Sequence, residues 1–254
     1  MDRIKAFFMR IGMDPDTPIR HDIALLREIQ SRSVCAIAYE NLDIVAGKPL
    51  DLSEDGLFRK IVTEHRGGYC FETNGLLSLM LREMGFSVTE RFARYLRGEN
   101  GIPMRRHRLV ITQLPEGAYL CDIGIGQTAP RFPVKIEEGL EQEQGPECYR
   151  MCRDARHGWV LQELKDGVWQ NYLCFSDEEA YPVDFVQPSF FCEKHPDSVF
   201  NKADMVAIKT VDGRCSLDGR VYKQFRSGTL VHMEEDISDE RRTRLLREIF
   251  LLNV

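Results

Sequence analysis

Residues 66–75 read Arg66-Gly67-Gly68-Tyr69-Cys70-Phe71-Glu72-Thr73-Asn74-Gly75, and the way this stretch passes from loop into helix governs how the rest of the chain is read. Gly67 and Gly68 permit a tight backbone entry that side chains would block. From Cys70 onward Leu76, Leu77, Met80, Leu81 and Met84 recur on one helical face, and Gly85 stops the pattern. Cys70 therefore stands at a helix start. Unpaired N–H groups and the positive dipole end there favour thiolate over thiol, and the same groups could hold a developing oxyanion. A lone cysteine is more often a small buried hydrophobe. Two glycines ahead of a helix-opening cysteine put the nucleophile on equal footing.

Outward from this point the chain changes character. On the N-terminal side, Thr17-Pro18 is expected to cap a helix carrying Ile19, Ile23, Leu26 and Ile29 on one face. Leu57, Ile61 and Val62 suggest another, which His65-Arg66-Gly67-Gly68 interrupts. Beyond Gly85, strand patterns are expected over 87–95, 106–112, 119–123, 159–164, 168–173, 205–209 and 221–225, with Asp166-Gly167 as a hairpin turn. Ser238-Asp239-Glu240 caps a closing amphipathic helix through Leu245, Leu246, Ile249 and Phe250. Helices first, strands in the middle and a mixed end make an α+β chain.

Composition limits the function classes. The 254 residues carry 34 basic and 40 acidic side chains, a net charge of −6, with no footprint for a nucleic-acid backbone. The clusters Arg105, Arg106, Arg108 and Arg241, Arg242, Arg244 read as solvated surface, with a small anionic ligand at the first as the alternative. The N-terminal stretch is broken by Arg3, Lys5 and Arg10 and resembles no secretory signal, and no segment approaches the roughly 20 apolar residues of a membrane span. A cytoplasmic enzyme with free thiols is expected from this, with no nucleic-acid or membrane partner. Cys148, Cys152 and His157 come nearest to a metal set, but lack ligand spacing, and no metal is expected.

A second pair of residues gives Cys70 a partner. His107 opens a strand and shares its face with Leu109 and Ile111, where a histidine is usually only a core residue. Asp122, on the same strand face as Leu120, points a carboxylate toward that apolar side, which is costly unless paired. Opposed in a hairpin, 107 and 122 would sum to 229, centring the turn just before Pro115-Glu116-Gly117. A carboxylate beside an imidazole fixes its tautomer and stabilises its cation, and Cys70 is the thiol that such a pair would deprotonate. Ile123-Gly124-Ile125-Gly126 follows; it says only that backbone here can approach a ligand closely.

Residues 66–74 match the Arg-Gly-Gly-x-Cys-x-Glu-x-Asn signature of arylamine N-acetyltransferases, and the chain resembles that family along most of its length. Tyr39-Glu40-Asn41-Leu42-Asp43 resembles its Pro-Phe-Glu-Asn-Leu-Asp segment, with Ala38 where proline is usual; 107–110 and 119–126 resemble its histidine strand and Asp-Val-Gly-Phe-Gly segment. The resemblance places Cys70, His107 and Asp122 on the family's triad. It implies a helical domain over 1–85 carrying the nucleophile, a β-barrel over 86–188 carrying His and Asp, and an α/β lid over 189–254, in a papain-like or transglutaminase-like arrangement. It also implies acetyl-CoA as co-substrate, with no tightly bound cofactor, and an arylamine or arylhydrazine acceptor. Gly124 and Gly126 are the expected coenzyme contacts. Two departures stand out: Ile125 replaces an aromatic residue, and 190–200 keeps only Ser198 and Phe200 of a Ser/Thr-rich segment. The expected reaction is ping-pong acetyl transfer through an acetyl-cysteine. Its rivals are an amide synthase acting on a carrier-protein thioester, a cysteine hydrolase and a non-catalytic binding module.

Overall fold

The computed structural model describes residues 2–98 and 101–254. Helices α1 (Arg3–Arg10) and α2 (Ile23–Ala36) lead into the short strand β1 (Tyr39–Glu40), then α3 (Leu42–Val45) and α4 (Glu54–Phe58). A single π-helical turn, Arg59–Thr63, separates α4 from α5 (Cys70–Glu83). Strands β2 (Ser87–Tyr95), β3 (His107–Leu114), β4 (Gly117–Cys121), β5 (Val134–Lys135), β6 (Gln142–Gln144), β7 (Glu147–Asp154), β8 (Gly158–Lys165) and β9 (Val168–Phe175) follow. The chain closes with α6 (Val186–Lys194), β10 (Met205–Lys209), β11 (Gly213–Asp218), β12 (Val221–Arg226), β13 (Thr229–Glu234) and α7 (Asp239–Glu248).

The first helices obey their caps. Asp2 accepts from the Ile4 amide to start α1, and Asp22 accepts from Leu25 at 2.9 Å to start α2. The expected cap at Thr17-Pro18 is therefore wrong: Thr17 Oγ1 donates to the Asp14 carbonyl in a separate turn, and Ile19 is exposed. An Asp cap contributes about 1 kcal/mol, and Asp22 takes the helix start. Helix α5 is buried on every side from Cys70 to Leu81, so it runs through the middle of the molecule rather than along its surface.

Strands β2 to β9 form one antiparallel sheet in the order β5-β4-β3-β2-β9-β8-β7-β6. It curls into a nearly closed barrel, and two glutamines bring its ends together. Gln142 accepts from the Lys135 amide at 2.7 Å and donates to the Lys135 carbonyl at 3.0 Å. Gln144 does the same with Phe132, at 2.8 and 2.9 Å. Each side-chain amide thus imitates a neighbouring strand and satisfies edge groups that would otherwise be orphaned. Leu109, Ile111, Leu120 and Tyr172 fill the barrel, while Val110, Leu114 and Cys121 on the opposite face pack against α1, α2 and α5. Strand β3 is consequently buried on both faces, not only on that of His107.

The β3–β4 register departs from the expected hairpin. Val110 faces Cys121 and Leu114 faces Gly117, a sum of 231 rather than 229, so Pro115-Glu116 alone forms the loop. Asp122, just past the end of β4, is not opposite His107 but one rung diagonal to it on the same face.

A second sheet, in the order β1-β10-β11-β12-β13, packs Val206, Ile208, Cys215 and Leu217 against Leu245, Leu246 and Phe250 at the C-terminal end. Strand β1 comes from the helical region, so this sheet ties the end of the chain back to the loop before Cys70. The molecule is α+β: a helical N-terminal region, a central β-barrel and a C-terminal α/β lid around a papain-like core. Sequence periodicity did not find β5, β6, β7, β11 or β13.

Candidate active site

Cys70 is the first residue of α5, and the loop before it is braced by charge. Lys60 Nζ reaches Glu72 Oε1 at 2.7 Å and Asp43 at 2.9 Å; Arg66 reaches Glu40 at 2.8 Å and Asp43 at 3.2 Å. Glu72 also accepts from the Tyr69 amide, and Glu40 from the Leu42 amide. Burial pushes the Glu72 carboxyl up to about 7 against the pull of Lys60. The conspicuous charges of residues 39–43 and 66–72 thus hold the loop before Cys70 in place. Gly67 leaves room for the Ala38 carbonyl, which would lie 2.1 Å from an added Cβ.

His107 and Asp122 meet as expected from their shared face, diagonally. His107 Nε2 lies 2.7 Å from Asp122 Oδ2, which leaves Nδ1 for Cys70. Burial works against charge on the imidazole, but Asp122 and a hydrogen bond to Cys70 outweigh it and push its pKa up to about 10. The surroundings thus favour the protonated imidazole. Cys70 Sγ also contacts the Arg106 carbonyl at 3.6 Å. Cys70, His107 and Asp122 are respectively 3%, 5% and 0% exposed, so the three lie in a water-poor setting.

Asp122 is saturated with donors. Its Oδ1 accepts from Asn74 Nδ2 and from the Gly124 amide, each at 2.8 Å. Asn74, one turn after Cys70 on α5, also donates to the Arg108 carbonyl at 2.6 Å and accepts from the Ile123 amide at 2.9 Å. One buried amide therefore links the helix that opens with Cys70 to the strand of His107 and to the segment after β4 that holds Asp122. Residue patterning assigned it no role, although it stands in the signature stretch.

A cavity of about 480 Å³ opens above Cys70 and His107, with Tyr39, Ile125 and Phe200 among its walls. A family model described as N-acetyltransferase matches residues 22–254. An arylamine N-acetyltransferase of Mycolicibacterium smegmatis is 34% identical over 236 residues, which span 91% of this chain and 85% of that one. The chain belongs to the arylamine N-acetyltransferase family. The arylamine N-acetyltransferase of Salmonella typhimurium superposes with a TM-score of 0.94 at 27% identity, covering 100% of this chain and 92% of that one. The Mycobacterium marinum arylamine N-acetyltransferase, solved in complex with CoA, superposes at 0.91 with 31% identity, covering 98% and 93%.

Against this family fold the remaining site residues can be placed. Gly124 and Gly126 both line the cavity. A Cβ on Gly124 would fall 2.8 Å from Cys70 Cα and 2.7 Å from Thr73 Oγ1, so this glycine lets the strand end press onto the start of α5. Gly126 has φ +73° and lies against the Tyr39 ring. Ile125, where relatives were expected to carry an aromatic residue, lines the cavity as well. Of the expected surface arginines, Arg108 is buried: it pairs with Glu90 at 2.7 Å, donates to the Phe71 carbonyl and stacks over Phe185. Its position on β3 beside His107 explains why, since both faces of that strand are covered. Cys148, Cys152 and His157 form no metal set; among the described residues no three His, Cys, Asp or Glu side chains cluster as ligands. No helix is long and apolar enough to cross a membrane among the described residues.

Proposed function

We propose that the chain transfers an acetyl group from acetyl-CoA to an aromatic amine or hydrazine through an acetyl-enzyme on Cys70, with His107 and Asp122 completing the triad. The observation that carries this reading is the 2.7 Å His107–Asp122 pair behind a helix-opening cysteine at the cavity floor. The complex of the Mycobacterium marinum relative with CoA supports the donor, and the arylamine N-acetyltransferase activity of the relatives supports the acceptor.

The steps follow from charge. Cys70 thiolate, facing a cationic His107, attacks the thioester carbonyl, and the Cys70 and Phe71 amides at the start of α5 receive the oxyanion. Collapse expels coenzyme A. Acetylation removes the sulfur's charge, one of the causes that raise the His107 pKa, so the imidazolium yields its proton to the leaving thiolate. Neutral His107 then takes a proton from the attacking amine as Cys70 is expelled and the ion pair re-forms. Asp122 keeps the ring oriented throughout. A cavity of about 480 Å³ suits one ligand of about drug size, which supports donor and acceptor taking turns. The backbone at Gly124 and Gly126 lets either come close.

The division into 1–85, 86–188 and 189–254 fits this reading. Each part supplies cavity residues: Tyr39 and Cys70, then Tyr95 and His107, then Phe200 and Asp218. The test is a panel of aromatic amines and hydrazines with acetyl-CoA, following release of free thiol. Amine-dependent release that is lost in Cys70→Ala supports the reading; release that needs only water would make the protein a hydrolase.

A further inference from the structure

One wall of the cavity is a face of the five-stranded sheet, and its register fixes what stands where. Tyr39 faces Ala207 across β1 and β10, and Ala207 faces Ser216 across β10 and β11. The adjoining row pairs Met205 with Asp218. All five residues line the cavity. Tyr39 marks the thiol end: its ring rests on Gly126, and burial followed by the charge of Cys70 raises its phenol well above the usual range. With strands about 4.8 Å apart and about 3.4 Å per residue along them, Asp218 lies about 12 Å from Tyr39, at the far end of the wall.

Asp218 is exposed at this mouth, and its side chain has one hydrogen bond among the described residues, from Ser216 Oγ at 3.4 Å. Among the described residues no ion pair neutralises it; burial pushes its carboxyl up, and the Ser216 hydroxyl and Lys223 on the next strand act against that. Between the two ends Ile125, Val199, Phe200 and Met205 give apolar wall, and Gln127, Thr128 and Ser216 give neutral polar wall. The two ends thus differ, with the His107 imidazole beside Cys70 at the thiol end and a carboxylate at the mouth.

We infer that Asp218 selects the acceptor: the enzyme favours aromatic amines that carry a cationic or hydrogen-bond-donating group on the end opposite the reacting nitrogen. The inference rests on the acetyl-transfer reading above. A carboxylate at the rim attracts a protonated tail and repels an anionic one, and the preference weakens as salt screens it.

The test compares 4-(2-aminoethyl)aniline, 4-ethylaniline and 4-aminobenzoate, whose tails are cationic, neutral and anionic. The expected order of kcat/KM is cationic, neutral, anionic, with about tenfold between the extremes at low salt, on the scale of two opposite-signed charge contacts. Asp218→Asn, which keeps the shape, should bring the three to within about twofold of their ranking by intrinsic nucleophilicity, and Asp218→Lys should favour 4-aminobenzoate. A second readout needs no turnover: each amine's protection of Cys70 against iodoacetamide should follow the same order and the same dependence on Asp218. Transfer whose tail preference is identical in wild type and Asp218→Asn overturns the inference and leaves the proposed function standing. Protection ordered by tail charge without transfer to any amine does the reverse. Protection that ignores both tail charge and Asp218 also overturns it.

Discussion

Asn74 Nδ2 donates to Asp122 Oδ1 at 2.8 Å, and through this bond the helix that begins with Cys70 orients the carboxylate that holds His107. The same amide ties down the backbone of β3 at Arg108 and of the segment after β4 at Ile123. We expect Asn74→Ala to cost about 1–3 kcal/mol of stability, because it leaves buried partners unsatisfied. Turnover should fall more than that loss explains in the folded fraction, and raising the temperature margin with ligand should not restore it. Urea titration with kcat measured on the folded protein checks this; unchanged kcat would reduce Asn74 to a purely structural residue.

Asp122→Asn should lower kcat by about 10²–10⁴-fold with the fold intact. The carboxylate accepts from three donors, His107, Asn74 and the Gly124 amide. An amide has one accepting oxygen, so its NH₂ must confront a donor and the imidazolium loses its counter-charge. Circular dichroism and steady-state rates decide it. A folded variant with near-normal turnover would remove Asp122 from the triad.

The parts of this site that were legible in the sequence were local. Two glycines before Cys70, the Ser238 cap and the turn after Leu114 each act within a few residues, and the structure keeps all three. The same-face logic for His107 and Asp122 survived a register error, because a shift of the sum by two preserves the face. What was not legible depends on distant partners. Strands β5 and β6 are two and three residues long, too short to show an alternation, and they exist by pairing with β4 and β7. Strand β13 is exposed along most of its length and so has no alternation to read. Asn74 is polar within a helix buried on all sides, and nothing in its spacing announces the three groups it joins.

Lys60→Met should destabilise the protein by about 3–5 kcal/mol, the usual cost of stripping one partner from a buried ion pair. Lys60 holds both Glu72 and Asp43, whose side chains are 2% and 14% exposed. Its loss leaves Glu72 buried without its cation, directly beneath the Cys70 loop. Differential scanning calorimetry measures the loss. A variant as stable as wild type would show that the network is not what braces the loop.

Stability should fall as pH rises above neutrality. The His107 pKa is about 10 in the folded protein against an ordinary 6.5, so folding binds this proton more tightly. That contribution is complete below the ordinary value and disappears as pH passes through the folded one, amounting to on the order of a few kcal/mol. Asp122→Asn and Cys70→Ala each remove a group that raises this pKa, so both should flatten the decline between pH 6.5 and 10. Urea midpoints across that range check it; equal slopes in wild type and Asp122→Asn would contradict the charged pair.

In the proposed reaction Cys70 carries the acetyl group. Intact mass spectrometry of the enzyme mixed with acetyl-CoA and no amine tests it most directly, with peptide mapping to locate the adduct. We expect the mass to rise by one acetyl group on Cys70, and to return to its starting value when an aromatic amine is added as acetylated amine appears. No mass change in wild type, together with acetyl transfer that persists in Cys70→Ala, would contradict the account: the acyl group would then pass directly from donor to acceptor.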